Sequence, residues 1–226
     1  IEGRLEIAEI DKPNKSASRK ESSVAQTKVQ HNELIEQLSN FPGIGQARTE
    51  KLIKAGIKNI SQLKQKKYHD MLTNETILTL KFNPVERIPR QAIEAFEKAL
   101  EPLKRKYHWE IVGSYRRQKS TSGDIDLMLI DDDQEIAKKF IVDLTKLGYQ
   151  LHIYAEGPDR YGTLINLSPV KHNIWVRADF FRASLEDAPA MLLYSTGSKE
   201  NNVLMQKKEK KLGLLLNQRG LFKGKV

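Results

Sequence analysis

Apolar positions recur at helical spacing from Asn32, at Leu34, Ile35 and Leu38, and predict a first helix. The pattern breaks at Phe41-Pro42-Gly43-Ile44-Gly45. It resumes through Leu52, Ile53 and Ala55, and Gly56 closes the second helix. Residues 59–82 read as helical, with Leu63, Met71, Leu72, Ile77, Leu78 and Leu80 inward, until Pro84 ends the run. A strong helix follows from Gln91 to about Lys106 despite Pro102, with Ala92, Ile93, Phe96, Ala99, Leu100 and Leu103 on its apolar face.

The period then shortens. Trp109, Ile111 and Val112 predict a strand. A Gly-Ser turn, one short basic helical turn and a loop lead to a second strand that ends at Ile130. Asp131 to Asp133 form an acidic turn, and residues 134–147 an amphipathic helix stopped by Gly148. Three strands are predicted at Tyr149–Ala155, Tyr161–Leu167 and Ile174–Phe181. A helix from Asp187, another over 198–211, and a small β unit around Leu214–Leu216 and Gly220–Phe222 complete the chain. The fold class is α+β: a helical segment, an antiparallel or mixed sheet, and a small α/β piece at the end.

The expected division is a polar tail over 1–30, a helical domain over 31–106, a sheet domain over 107–185 and a terminal subdomain over 186–226. Ile1-Glu2-Gly3-Arg4 matches a protease recognition sequence used to trim tags and is set aside. Composition adds direction. Among 226 residues the formal net charge is +9, with an acidic middle between two basic flanks. That distribution suits a cation site held against a polyanion. There are no cysteines, so disulfides and thiolate metal sites are excluded. No apolar run is long enough for a membrane span.

Chemistry concentrates in Gly113 to Asp126, GSYRRQKSTSGDID. Asp124 and Asp126 are two apart, so on a strand both carboxylates leave one face, roughly 7 Å apart at the backbone. Paired carboxylates repel unless a cation sits between them, and a pair of divalent ions about 4 Å apart drives in-line phosphoryl transfer. Gly113 permits close backbone approach, and Ser114 and Arg117 offer donors to phosphate. Asp179 lies beside Arg177 in an apolar strand. On the residues alone it is either part of an internal polar network or a third ligand. At Gly43 and Gly45 a helix–hairpin–helix pattern turns backbone N–H groups toward a phosphate, and Arg48, Lys51 and Lys54 follow at helical spacing.

This string resembles the nucleotidyltransferase signature of the family X, DNA polymerase beta-like, DNA polymerases: a Gly-Ser, an aromatic, an Arg-Arg, then Ser-Gly-Asp-x-Asp. The resemblance extends, with gaps, from about Leu34 to Phe222. It implies Asp124, Asp126 and Asp179 as metal ligands and catalytic carboxylates, the last two residues after Arg177. It implies nucleotide contacts from Arg87, Gly113, Ser114, Arg117, Ser122, Gly123, Tyr194, Gly197 and Asn202. DNA contacts would come from Gly43, Gly45, Arg48, Lys51, Lys54, Arg177 and Gln206. Ser195 departs from the family, which has Phe there, and Gln206 departs from an Arg in its best-known member.

The implied activity is template-directed, repair-type addition of deoxynucleotides to a primer 3′-OH on gapped DNA. Two Mg²⁺ ions are expected, with Mn²⁺ able to substitute. The partners would be primer–template DNA and deoxynucleoside triphosphates, and the chain is expected to be an intracellular monomer, nuclear or viral. The small N-terminal lyase domain of the family is expected to be missing. A template-independent terminal transferase and a catalytically weak DNA-binding module are the alternatives.

Overall fold

The computed structural model describes residues 29–168 and 173–223; the predicted tail up to residue 28 lies outside them. The chain forms two compact units, the first ending at Leu72 and the second beginning at Thr73. In the first, helix α1 (residues 29–39) precedes the glycine hairpin, and α2 (Gln46–Lys54) follows it. Leu34, Leu38, Ile44, Leu52, Ile57, Leu63 and Tyr68 are buried there. Residues 59–82, read as helical, are two 3-10 turns, Ile60–Lys64 and Lys66–Met71, followed by an α-helix from Asn74. Asn59 caps the first turn, accepting from the Gln62 N–H. Leu72 is extended, so no helix passes through it.

The second unit opens with α3 (Asn74–Phe82), whose N-cap Thr73 accepts from the Thr76 N–H. The sequence pattern groups α3 and the next helix with the hairpin segment, whereas both fall in this second unit. Strand β1 (Ile88–Pro89) leads into α4 (Arg90–Ala99). α4 stops where Pro102 enters, and a 3-10 turn, Glu101–Arg105, replaces its expected last turns.

Then come β2 (Trp109–Ile111), α5 (Gly113–Arg116), β3 (Thr121–Ser122), β4 (Ile125–Ile130) and α6 (Ile136–Lys146). The chain continues through β5 (Gln150–Gly157), β6 (Arg160–Asn166) and β7 (Trp175–Ala183). Helices α7 (Ala188–Thr196) and α8 (Lys199–Lys211) and the hairpin β8 (Leu214–Asn217)–β9 (Gly220–Lys223) follow.

The central sheet has the order β2-β4-β7-β6-β5 and is mixed: β4 and β7 run parallel, the other neighbours antiparallel. Strand alternation gives it two faces. Ile125, Leu127 and Leu129 of β4 and Val176, Ala178 and Phe180 of β7 join Ile93, Phe96, Phe140 and Leu144 in the main core. Each fully buried large side chain there contributes about 1.5–3 kcal/mol. On the other face, Met128 packs with Val112, Ala183 and Met191 of α7. Asp126 and Asp179 alternate with the core residues, so the same periodicity that buries the core turns both acids to the opposite face. Among the described residues no helix is long and apolar enough to cross a membrane.

Candidate active site

Asp126 is the second residue of β4, and its partner in the parallel register on β7 is Asp179. Asp124 lies in the bend just before β4, rather than inside the strand as expected. Freed from the strand, it still joins the pair: carboxylate oxygens of Asp124, Asp126 and Asp179 all lie within 4.8 Å of one another. Burial, then the charges of Asp124 and Asp179, raise the Asp126 carboxyl to about 7. Burial also raises Asp179, against the opposing pull of Arg160. Three carboxylates this close, two of them raised by burial and mutual repulsion, form a donor set that fits hard divalent cations.

Gly113 sits against this cluster. Its φ is +61°, and a Cβ there would collide with Asp126 Oδ2. Both the left-handed backbone and the missing side chain are therefore required at this position. A cavity of about 960 Å³ opens from it, lined by Gly113, Ser114, Arg117, Asp124 and Asp126 and also by Tyr194, Gly197, Asn202 and Gln206. Arg117 Nη1 donates to the Thr196 carbonyl at 2.5 Å, and Asn202 Nδ2 to the Tyr194 carbonyl at 2.8 Å. These bonds tie α5 to α7 and α7 to α8.

Other expected residues lie off the cavity wall. Arg87 bonds Thr121 across the short β1–β3 pairing, through Nε at 3.1 Å and Nη2 at 2.8 Å. Ser122 is buried, with its hydroxyl unpartnered. Arg177 Nη2 donates to the Gly123 carbonyl at 3.2 Å. In the first unit, Arg48 is committed internally, its Nε to the Met71 carbonyl at 2.7 Å and Nη1 to the Gly43 carbonyl at 3.1 Å. Lys51 and Lys54 are exposed in the last turn of α2, and Gly45 is its N-cap.

The sequence pattern does not reveal the residues that hold Asp179. Arg160 Nη2 donates to Asp179 Oδ2 at 2.7 Å, and Tyr154 Oη to Oδ1 at 3.4 Å. Tyr154 is the bulged residue of β5, where the register slips between Ile153 and Ala155. A bulge re-aims a side chain, and the Tyr154 ring lies over Gly162, where a Cβ would come within 2.9 Å of Tyr154 Cζ. Gly162 is also the register partner of Asp179 on β6. An isolated Gly inside a strand pattern is the available signal; the bulge opposite it leaves no trace in the hydrophobic pattern.

Comparison with known proteins agrees with this geometry. The family described as DNA polymerase beta palm matches residues 87–181. DNA polymerase lambda of Arabidopsis thaliana is 33% identical over 110 residues, which cover 46% of this chain and 20% of that protein. The chain thus spans about a fifth of that relative. The ternary primer/template complex of Leishmania infantum polymerase beta superposes with a TM-score of 0.72 at 29% identity, covering 88% of this chain and 81% of that one. Its ternary gap complex gives 0.73 at 29% identity, over 85% and 71%.

Proposed function

We propose that this chain is a family X DNA polymerase that adds deoxynucleotides to a primer 3′-OH under template direction, on gapped DNA in repair. The observation that carries the reading is the cluster of Asp124, Asp126 and Asp179, the first two of which line a cavity large enough for a nucleotide. The three carboxylates would hold two Mg²⁺ ions, or Mn²⁺ in their place. Bound there, such ions lower the pKa of an attacking hydroxyl and stabilise the charge of a departing pyrophosphate.

The chain's own residues do the rest. Gly113 keeps the backbone close to Asp126, leaving space for a phosphate beside it. Ser114 of α5 and Arg117 at its C-cap present a hydroxyl and a guanidinium to the triphosphate. Tyr194 and Gly197 line the cavity for base and sugar, with Asn202 and Gln206 one turn apart on α8 to meet the nascent pair. Exposed Lys51 and Lys54 after the glycine hairpin would contact DNA phosphates without reading sequence.

The test is labelled-primer extension on gapped DNA with Mg²⁺ and each nucleotide singly. Incorporation of the templated nucleotide alone is expected. Equal incorporation without template would mean a terminal transferase, and no incorporation with DNA still bound would mean a binding module.

A further inference from the structure

We propose that Arg160 is a positioning residue of this centre: it competes with a divalent cation for Asp179 and so sets the cation affinity of the site. The inference rests on the reading of the three carboxylates as a metal site.

Asp179 is only 8% exposed and is not part of the cavity wall, whereas Arg160 is. Arg160 thus belongs to the cavity lining and also holds the third carboxylate through Oδ2. Both Asp179 oxygens already have partners, Arg160 on Oδ2 and Tyr154 on Oδ1. For Asp124 and Asp126 no such bonds to side chains are formed among the described residues. A carboxylate oxygen held by a guanidinium at 2.7 Å has part of its lone-pair capacity and most of its charge compensated. A cation that binds Asp179 has to displace that guanidinium or share the carboxylate with its positive charge.

The arginine is built to move. Its side chain is 53% exposed, and its second contact is the loose stacking of the guanidinium 5.8 Å from the Phe181 ring. The backbone beneath it is fixed. Asp159, the preceding residue, accepts from Arg182 Nη2 at 2.7 Å and Nε at 3.2 Å, and from Arg219 Nη2 at 3.2 Å. Release of Asp179 then needs only a change of side-chain rotamer, with no hinge in the β5–β6 turn. Tyr154 keeps the carboxylate in place as Arg160 leaves.

The experiment is Mn²⁺ binding to the full chain, without DNA or nucleotide, followed by the electron paramagnetic resonance of free Mn²⁺. Arg160→Gln should bind Mn²⁺ about tenfold more tightly than wild type, because a unit positive charge a few ångströms from the ion is removed. Arg160→Lys, which keeps the charge, should fall between the two. In an Asp179→Asn background the gain from Arg160→Gln should largely vanish. Unchanged or weaker binding by Arg160→Gln would overturn the proposal and make Arg160 a residue that orients Asp179 for the metal. A gain of equal size without Asp179 would overturn it in favour of a bulk charge effect. If wild type and Arg160→Gln both leave Mn²⁺ free, the metal site itself is wrong and the proposal falls with it.

Discussion

Asp126 and Asp179 face each other across the parallel pairing of β4 with β7, on the side of the sheet turned away from the core. Neither can be moved without moving a central strand. Asp124, in the bend before β4, supplies the third oxygen. Each acid should therefore be individually necessary. Asp124→Asn, Asp126→Asn and Asp179→Asn are each expected to lower extension by at least about 10²–10³-fold, the scale of losing one dedicated charge-stabilising group. DNA affinity, measured by fluorescence anisotropy, should stay near wild type. Wild-type-like extension by any of the three would remove that residue from the centre.

Gly113 yields a second expectation. Alanine there must adopt a φ of +61° and find room where Asp126 Oδ2 now lies. The backbone alone costs roughly 1–2 kcal/mol, visible as a lowered Tm. The displaced Asp126 carboxylate should in addition weaken Mn²⁺ binding. Gly148 is also left-handed, at φ +92°, but a Cβ added there would meet nothing within 4 Å, so Gly148→Ala carries the backbone strain without the collision. It should lower Tm and leave Mn²⁺ affinity alone. Equal Mn²⁺ affinity for both variants would sever Gly113 from the site.

These residues also mark how much is legible in the sequence. The short-period strands account for the mixed sheet, one of the two forms expected, and for Asp126 on a face away from the core, because a period-2 pattern dictates which side chains share a face; Asp124 instead lies in the bend before β4. The helix ends are legible where a glycine or proline acts locally, as at Gly56. Pro102 is the exception: the apolar spacing runs on past it, although it ends α4. The helical reading of residues 59–82 holds as an α-helix only from Asn74, because the apolar spacing before it fits 3-10 turns as well as an α-helix, and Asn59 and Thr73 each start a new element. Arg160 and Tyr154 are invisible in the pattern and Gly162 shows only as an isolated glycine in a strand, since their meeting at Asp179 depends on sheet order and on a bulge. Arg48 looks like a free charge in the sequence, because the Met71 carbonyl it holds is distant along the chain.

Stability should depend on pH through Asp143. Its carboxylate accepts from Lys106, Lys146 and the Tyr107 hydroxyl. These bonds, that of Lys106 foremost, hold it well below the usual carboxylate range. A depressed folded-state pKa stabilises the fold above the unfolded value of about 3.9, and that contribution is lost as pH falls toward the folded value. Asp143→Asn should thus lower Tm at pH 7, and the gap to wild type should shrink progressively below about pH 4. A gap that is constant from about pH 7 to about pH 3 would mean that the charge of Asp143 does not matter.

DNA binding by the first unit should be electrostatic. Lys51 and Lys54 are exposed, unlike the internally bonded Arg48. Replacing both with Ala should weaken binding to the same extent on unrelated sequences and reduce the slope of log K against log salt by roughly 1–2. Arg48→Ala should mainly lower Tm, through loss of its two carbonyl contacts. A sequence-dependent loss in the lysine variant would mean that this region reads bases.

The last prediction concerns Gln206. It lies one helical turn beyond Asn202 on α8, and both line the same cavity as Asp124 and Asp126. From there a side chain can reach the minor-groove edge of a base pair formed in the cavity. Glutamine hydrogen-bonds there but carries no charge and a shorter reach than arginine. A correct pair would gain less from it relative to a mispair, and discrimination depends on that difference. The wild-type chain should therefore be error-prone, and Gln206→Arg should lower single-nucleotide misinsertion by about tenfold, the worth of one added hydrogen bond to a charged group. The measure is the ratio of kcat/KM for wrong and right nucleotides opposite each template base. If the arginine variant discriminates no better than wild type, Gln206 is a solvated helix residue and fidelity is set elsewhere in the cavity.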